Sequence, residues 1–301
     1  MLERPIDVTD ETVLEEVRRH WAPAAESVEH LAVGWGAHHW VVRVSGKRAL
    51  FATLDPPTER HTAASLEGAY ATAARLGLEF VWPSLPSVDG TYTRPLEDRT
   101  LSVTAWLAGE RPTRSTPDLP DLLHALHGSA APVSAPVWTT EIDAELPERL
   151  QDLLSKPWVG PLGAAARTVL TQHIDHVADW ADEHRALTRR LDRTAYVVTH
   201  GEPGVHNQWL ARGRTYLLDW ESLRLAPPER DLATLVHAGT PTDGDPALIR
   251  LFDLEWRLSE VWSFARWLQG PHGDGADERQ ALSGLADELT RPHFDEPRPS
   301  R

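Results

Sequence analysis

The stretch Thr199–Glu221, THGEPGVHNQWLARGRTYLLDWE, sets His200, Glu202, His206, Asn207, Asp219 and Glu221 between two apolar runs. Glu202 and Asn207 stand five positions apart on a loop leaving the apolar YVV, and Asp219 ends the second arm of a hairpin spelled by QWLA, RGR and TYLLDW. A hairpin folds back, so Asn207 near its start and Asp219 near its end come side by side. Their amide and carboxylate oxygens suit one hard cation such as Mg²⁺. Glu202 then stands close enough to take a proton or orient a nucleophile. Two other readings use the same residues. Solvated polar ends of a hairpin need no chemistry. A transition metal on His200, His206 and Asp219 makes a metal-dependent hydrolase but leaves Asn207 without a role. His200, following an apolar strand, reads as a buried hydrogen-bonding residue that braces the loop.

The elements around this stretch fall into two kinds. Thr9 or Asp10 caps a first helix running to Trp21, with acids early and Arg18 and Arg19 late. Short β-like runs follow: HLAV, the link GWGAH, HWVVRV, the turn SGK, and RALFATL. An Ala-rich helix is expected over Thr62–Arg75, then strands at FVWPSL, GTYTRPL and TLSVTAWL. Beyond Ala108 the pattern turns helical, with apolar spacing over Leu162–Leu191 and further helices at Asp231–His237, Pro246–Gln269 and Ala276–Thr290. RPHFDEPRPSR reads as a frayed tail. The expectation is an α+β protein with a sheet-rich N-terminal lobe, 1–106, and a larger helical lobe, 107–301, holding the polar hairpin.

A formal net charge of −15 argues against a nucleic-acid partner and suits a cationic or metal-bound ligand. The chain has no cysteine, which excludes disulfides, thiolate metal sites and thiol nucleophiles. The N-terminus carries acids where a secretion signal has an apolar core, and no run of about 18 apolar residues occurs. A cytoplasmic protein without a membrane partner, monomeric or homodimeric, is the expectation.

HGEPGVHN followed by LLDWE resembles the H-G-D-x-x-x-x-N and D-x-[DE] elements of the aminoglycoside phosphotransferase family, and the similarity continues through APPERDL. VGWGAHHW, FATLD, LGLEFVWP and PWVGPL resemble a branch with HGEP in place of HGD, whose members are described as antibiotic or spectinomycin-type phosphotransferases. The resemblance implies a protein-kinase-like fold and transfer of the ATP γ-phosphoryl to a hydroxyl of an antibiotic or related natural product, conferring resistance. It implies that Glu202 is the catalytic base and that Asn207 and Asp219 hold Mg²⁺, with Glu221 assisting a second metal or the substrate. Asp231 becomes the buried carboxylate that receives hydrogen bonds from the catalytic loop.

On the same resemblance Gly34 and Gly36 let a short loop approach the phosphates. Main-chain groups near Thr104 to Trp106 meet the adenine edge. Apart from the resemblance, the Trp-rich run Pro246–Gln269 has two readings: a core helix, or one whose Trp256 or Trp262, with nearby carboxylates, lines an acceptor pocket for an amine-bearing sugar.

Two departures stand out. Glu202 replaces the usual Asp. Thr53 occupies the third-strand position where a phosphate-binding Lys is expected, so Glu67 lacks its usual mate. Lys47 lies roughly 20 Å away along the strand, leaving Arg60, Arg43 or His39 as candidates for the missing charge. The absent Lys also motivates the alternative of a nucleotide-binding pseudokinase with a regulatory role.

Overall fold

The computed structural model describes residues 1–58, 61–132 and 135–293. Two compact units divide the chain: Met1–Trp138 with Tyr196–Thr234, and Thr139–Ala195 with Leu235–Arg301. This grouping runs elsewhere than a lobe boundary at 106/107, because the polar hairpin and its loop cluster with the N-terminal sheet.

The first unit is built on a five-stranded antiparallel sheet of order β1-β2-β3-β5-β4. Its strands are β1 Ala25–Leu31, β2 His38–Val44, β3 Lys47–Asp55, β4 Thr93–Leu96 and β5 Arg99–Ala105. Helix α1, Asp10–His20, starts where Thr9 Oγ1 accepts from the Thr12 amide at 3.1 Å. It packs Val13 and Val17 against Trp40, Val42, Ala52, Leu54, Leu101 and Val103. Helix α2, Ala63–Arg75, is capped in the same way by Thr62.

Side chains alternate across a strand, so burying Ala52 and Leu54 turns Phe51, Thr53 and Asp55 to the opposite face. The register sets His39 beside Thr53 and Thr104 beside Phe51 on that face. This second face supplies half of the candidate site.

The other half comes from a short helix α3, Leu119–His127, then β6 Val197–Thr199, β7 Gln208–Ala211, β8 Arg214–Leu217 and β9 Arg224–Ala226. Strands β6 and β9 pair with each other, and β7 and β8 form the expected hairpin. FVWPSL is not a strand. It makes isolated bridges, Val81 with Leu217 and Ser84 with Thr104, as suits a segment interrupted by a proline that has no amide to donate. The HLAV strand begins earlier than expected, at Ala25, through a bulge between Ala25 and Ser27.

The second unit contains α4 Leu146–Ser155, α5 Gly163–Thr188, α7 Pro246–Gln269 and α8 Ala276–Thr290; α6, Glu229–His237, begins in the first unit. Helix α5 ends three residues short of Leu191, and α6 starts two before Asp231, directly after Pro227 and Pro228. No helix among the described residues is long and apolar enough to cross a membrane. Arg60, and the expected tail from Phe294 onward, lie outside the described residues.

Candidate active site

The loop after β6 is fixed by one buried carboxylate. Asp231, on α6, accepts the His200 amide at 3.0 Å, the Gly201 amide at 2.7 Å and His127 Nε2 at 2.9 Å. Burial opposes its ionisation, but the hydrogen bond and charge of His127 lead the groups that hold its carboxyl below the usual range. Gly201 has φ +97, and a Cβ there would overlap the Arg230 guanidinium. His200 is fully buried and bonded at both ring nitrogens. Nε2 donates to the Leu218 carbonyl at 2.8 Å and Nδ1 accepts the Glu202 amide at 3.2 Å. These partners fix a neutral tautomer, and burial holds the pKa below its ordinary value. His200 therefore braces the loop, as the sequence suggests, with neither nitrogen left for a metal.

On this support the predicted trio converges. The Leu218 amide donates to the Asn207 carbonyl at 2.9 Å, closing the base of the hairpin. Asn207 Nδ2 donates to the Glu202 carbonyl at 2.9 Å. With the amide nitrogen anchored, Oδ1 is the end of Asn207 able to meet a cation. Asp219 follows Leu218 in the left-handed conformation, φ 65 and ψ 70, a strained position for a non-glycine residue. Its carboxyl is pushed above the usual range, first by crowding protein atoms and then by Glu202. Asp219 still keeps exposed surface, so it sits in a recess that solvent reaches.

Asp55 and Glu221 complete this acidic group. Asp55 is buried at the end of β3, and its carboxyl is raised by burial and then by Asp219. Tyr70 of α2 lies beside it, its hydroxyl pKa raised well above normal by burial and then by Asp55. Glu221 approaches His61 Nδ1 at 3.7 Å. Among the described residues no three His, Asp or Glu side chains are arranged to hold a metal ion by themselves. That counts against the His200, His206 and Asp219 reading. A cation here would need the Asn207 oxygen and oxygens brought by a ligand.

The opposite face of the site carries the predicted nucleotide contacts. Gly34 and Gly36 both have positive φ, and a Cβ on Gly34 would come within 2.8 Å of His39 Nε2. His39 Nδ1 meets Thr53 Oγ1 at 3.2 Å, and its ring stacks on Phe51 at 5.0 Å. Phe51 in turn lies 6.4 Å from Trp106.

His39 is disfavoured as the source of the missing positive charge. Burial, then the positive N-terminus, push its pKa down to about 3. Arg43 sits at the far end of β2 and reaches Glu29 at 3.5 Å. Glu67 is bound to the start of β4, accepting from the Tyr92 amide at 2.9 Å and from the Thr93 amide and hydroxyl at 2.9 and 2.8 Å.

The expected adenine contacts also need adjustment. The Trp106 amide already donates to Ala49 O at 2.9 Å, and Ala105 O accepts from Trp82 Nε1 at 2.8 Å.

Trp256 and Trp262 lie in the second unit. Trp256 Nε1 donates to Glu288 at 3.3 Å, and the Arg149 guanidinium covers the Trp262 ring at 3.9 Å. Sequence reading missed Asp55, His61, Ser222 and the fully buried Gln208, which joins Pro203 O to Thr116 at 2.9 and 2.8 Å. For Asp55 a signal existed: it shares the outward alternation of Phe51 and Thr53.

Comparison with known proteins adds the family. The profile of the phosphotransferase enzyme family matches residues 27–281. Protein StrN of Streptomyces griseus is 28% identical over 257 residues, 77% of each chain. Spectinomycin phosphotransferase APH(9)-Ia, solved with ADP and spectinomycin, is similar with a TM-score of 0.72 at 13% identity, covering 96% of this chain and 97% of that one. A microcompartment-associated aminopropanol kinase gives 0.58 at 14%, over 93% and 95%. A thermostable mutant of aminoglycoside phosphotransferase APH(4)-Ia gives 0.57 at 13%, over 93% and 98%. At such identities these structures speak to fold, which is the α+β, two-lobed, protein-kinase-like fold expected from the sequence. The profile spans most of the chain, and the protein belongs to the phosphotransferase enzyme family.

Proposed function

We propose that this protein transfers the γ-phosphoryl group of ATP to a hydroxyl of a small molecule, an antibiotic or related natural product, as in resistance by phosphorylation. The observation that carries the reading is the anchoring of Asn207 Nδ2 on the Glu202 carbonyl, at 2.9 Å, at the base of the hairpin that delivers Asp219. It gathers an amide oxygen, the Asp219 carboxylate and the Glu202 carboxylate on one rigid support. The donors are all hard oxygens, and the crowded Asp219 carboxylate has no cationic partner among the described residues, so the set fits Mg²⁺. Mg²⁺ on Asn207 and Asp219, with Glu221 near, supplies positive charge to the phosphates when bound.

Glu202 takes the proton of the acceptor hydroxyl. The hydroxyl oxygen bonds to the γ-phosphorus as the bond to the β-bridging oxygen breaks, and ADP leaves with that electron pair. Gly34 and Gly36 bring the loop backbone to the phosphates, while His39 and Thr53 line the sheet side. Phe51 and Trp106 offer apolar surface to the base, and the main-chain groups of Leu107 and Ala108, just beyond those already engaged, meet its edge. The lobe boundary at 106/107 would then run through this connector. The excess of acidic groups favours a cationic acceptor. We place the enzyme in the cytoplasm, as a monomer or homodimer.

Thr53 in place of a lysine, with Glu67 committed to β4, favours a second reading: a pseudokinase that binds nucleotide without transfer. Incubation with γ-labelled ATP and a panel of aminoglycosides, spectinomycin, peptide and nucleoside antibiotics separates the two. Label on an acceptor supports transfer, binding without label supports the pseudokinase, and hydrolysis that ignores nucleotide overturns both.

A further inference from the structure

We propose that Ser222 is a positioning residue for Glu202, and that His61 holds Ser222 in that role through a chain running His61 to Ser222 to Glu202. The inference rests on the reading of Glu202 as the base. Ser222 is 3% exposed, and its hydroxyl donates to Glu202 Oε1 at 3.0 Å. A serine hydroxyl has one hydrogen, and an ionised carboxylate only accepts, so that hydrogen is committed to Glu202. The 3.3 Å contact between Ser222 Oγ and His61 Nε2 then requires His61 to be the donor. Nδ1, the other ring nitrogen of His61, lies 3.7 Å from Glu221 Oε2.

The middle of the chain and its His61 end are themselves fixed. The Ser222 carbonyl accepts from Arg230 Nη1 at 2.9 Å, and Arg230 also reaches Thr199 Oγ1 at 3.1 Å. Ser222 closes the short 3-10 turn Trp220–Ser222 that Asp219 opens. The His61 amide donates to Thr58 Oγ1 at 2.8 Å, and the next residue, Thr62, caps α2. The chain of bonds thus joins the segment entering α2 to the catalytic loop.

This arrangement accounts for the glutamate. Glu has one more rotatable bond than the Asp usual in this position, and each added torsion spreads the carboxylate over more positions. A hydrogen bond from a buried, backbone-fixed hydroxyl removes that freedom. It holds Oε1 in one place. His206 Nε2 is 4.0 Å from Oε2 and exposed, on the solvent side of the same carboxylate.

The test is a double-mutant cycle on the full chain, following ADP release from MgATP with water as acceptor, beside MgATP affinity by calorimetry. Ser222→Ala is expected to lower kcat about tenfold or more with KM and affinity for MgATP within about twofold, and Ser222→Thr to retain at least about a third of the rate. In a Glu202→Asp background, whose shorter side chain withdraws from Ser222, adding Ser222→Ala is expected to cost less than about twofold further. The proposal is overturned by additive losses, by parental activity in Ser222→Ala, or by MgATP affinity falling in step with rate. A parent that neither binds MgATP nor releases ADP sinks the phosphotransferase reading itself, and the positioning role with it. A parent that binds MgATP tightly but releases no ADP, alone or with the antibiotic panel, sinks Glu202 as a base and leaves the pseudokinase.

Discussion

Asp231 and Asp219 are both acids crowded by protein within the same unit, and they behave in opposite ways. Asp231 accepts from two backbone amides and an imidazole, and its carboxyl is held below the usual range. Asp219 stands in a strained left-handed conformation against Glu202 and Asp55, without a cationic partner among the described residues, and its carboxyl is pushed up. A carboxylate whose lone pairs are filled by its own chain is scaffold. One left among like charges at a recess is arranged for something positive to arrive. The difference turns a list of acids into assigned roles.

The sharpest way to break this contrast is to neutralise each acid in turn. Asp219→Asn is expected to lower phosphoryl transfer by about a thousandfold or more by removing a metal-ligand charge. Its Tm should be unchanged or higher, because a repelled carboxylate has been removed. A drop of several degrees would put Asp219 with the scaffold. Glu202→Gln should slow transfer by about a hundredfold to ten-thousandfold with nucleotide affinity nearly retained. Parental rates in that variant would dismiss Glu202 as the base.

Asp231→Asn should do the reverse, costing about 2–4 kcal/mol of stability because buried donors lose a charged acceptor. Denaturant unfolding measures it. The pH dependence follows in sign. The folded carboxyl of Asp231 titrates below its unfolded value, so the unfolded chain binds more protons in that window. Its stabilisation is present above about pH 4 and is lost as pH falls through the folded pKa. Unfolding scans should therefore show less acid destabilisation in Asp231→Asn than in the parent; identical acid limbs would contradict the assignment. The smallest effect is expected from His127→Gln, about 1 kcal/mol, since one of three donors is weakened.

How much was legible in the sequence follows the range of the interactions. Hairpin geometry alone brings Asn207 beside Leu218 and Asp219, so spacing within one stretch sufficed. The cap at Thr9 is equally local. The short helices α3 and α4 begin at Pro-containing turns without side-chain caps, and only a general helical character was read there. FVWPSL has strand composition, but tertiary packing leaves it as isolated bridges. The bond between His61 and Ser222 joins residues 161 positions apart, a pairing no periodicity announces. His39 is one of three candidate cations in the sequence, and its burial, which lowers its pKa, is not visible there.

The central claim is that Asn207 and Asp219 meet a magnesium-bound nucleotide on the support given by Asp231. The most direct test is calorimetric titration of ATP into the parent, Asn207→Ala and Asp219→Asn, each with and without Mg²⁺. The account predicts that Mg²⁺ tightens binding to the parent by about tenfold or more and that both variants lose this gain while staying folded. Equal ATP affinity with and without Mg²⁺ in the parent, or a full gain kept by either variant, would contradict it.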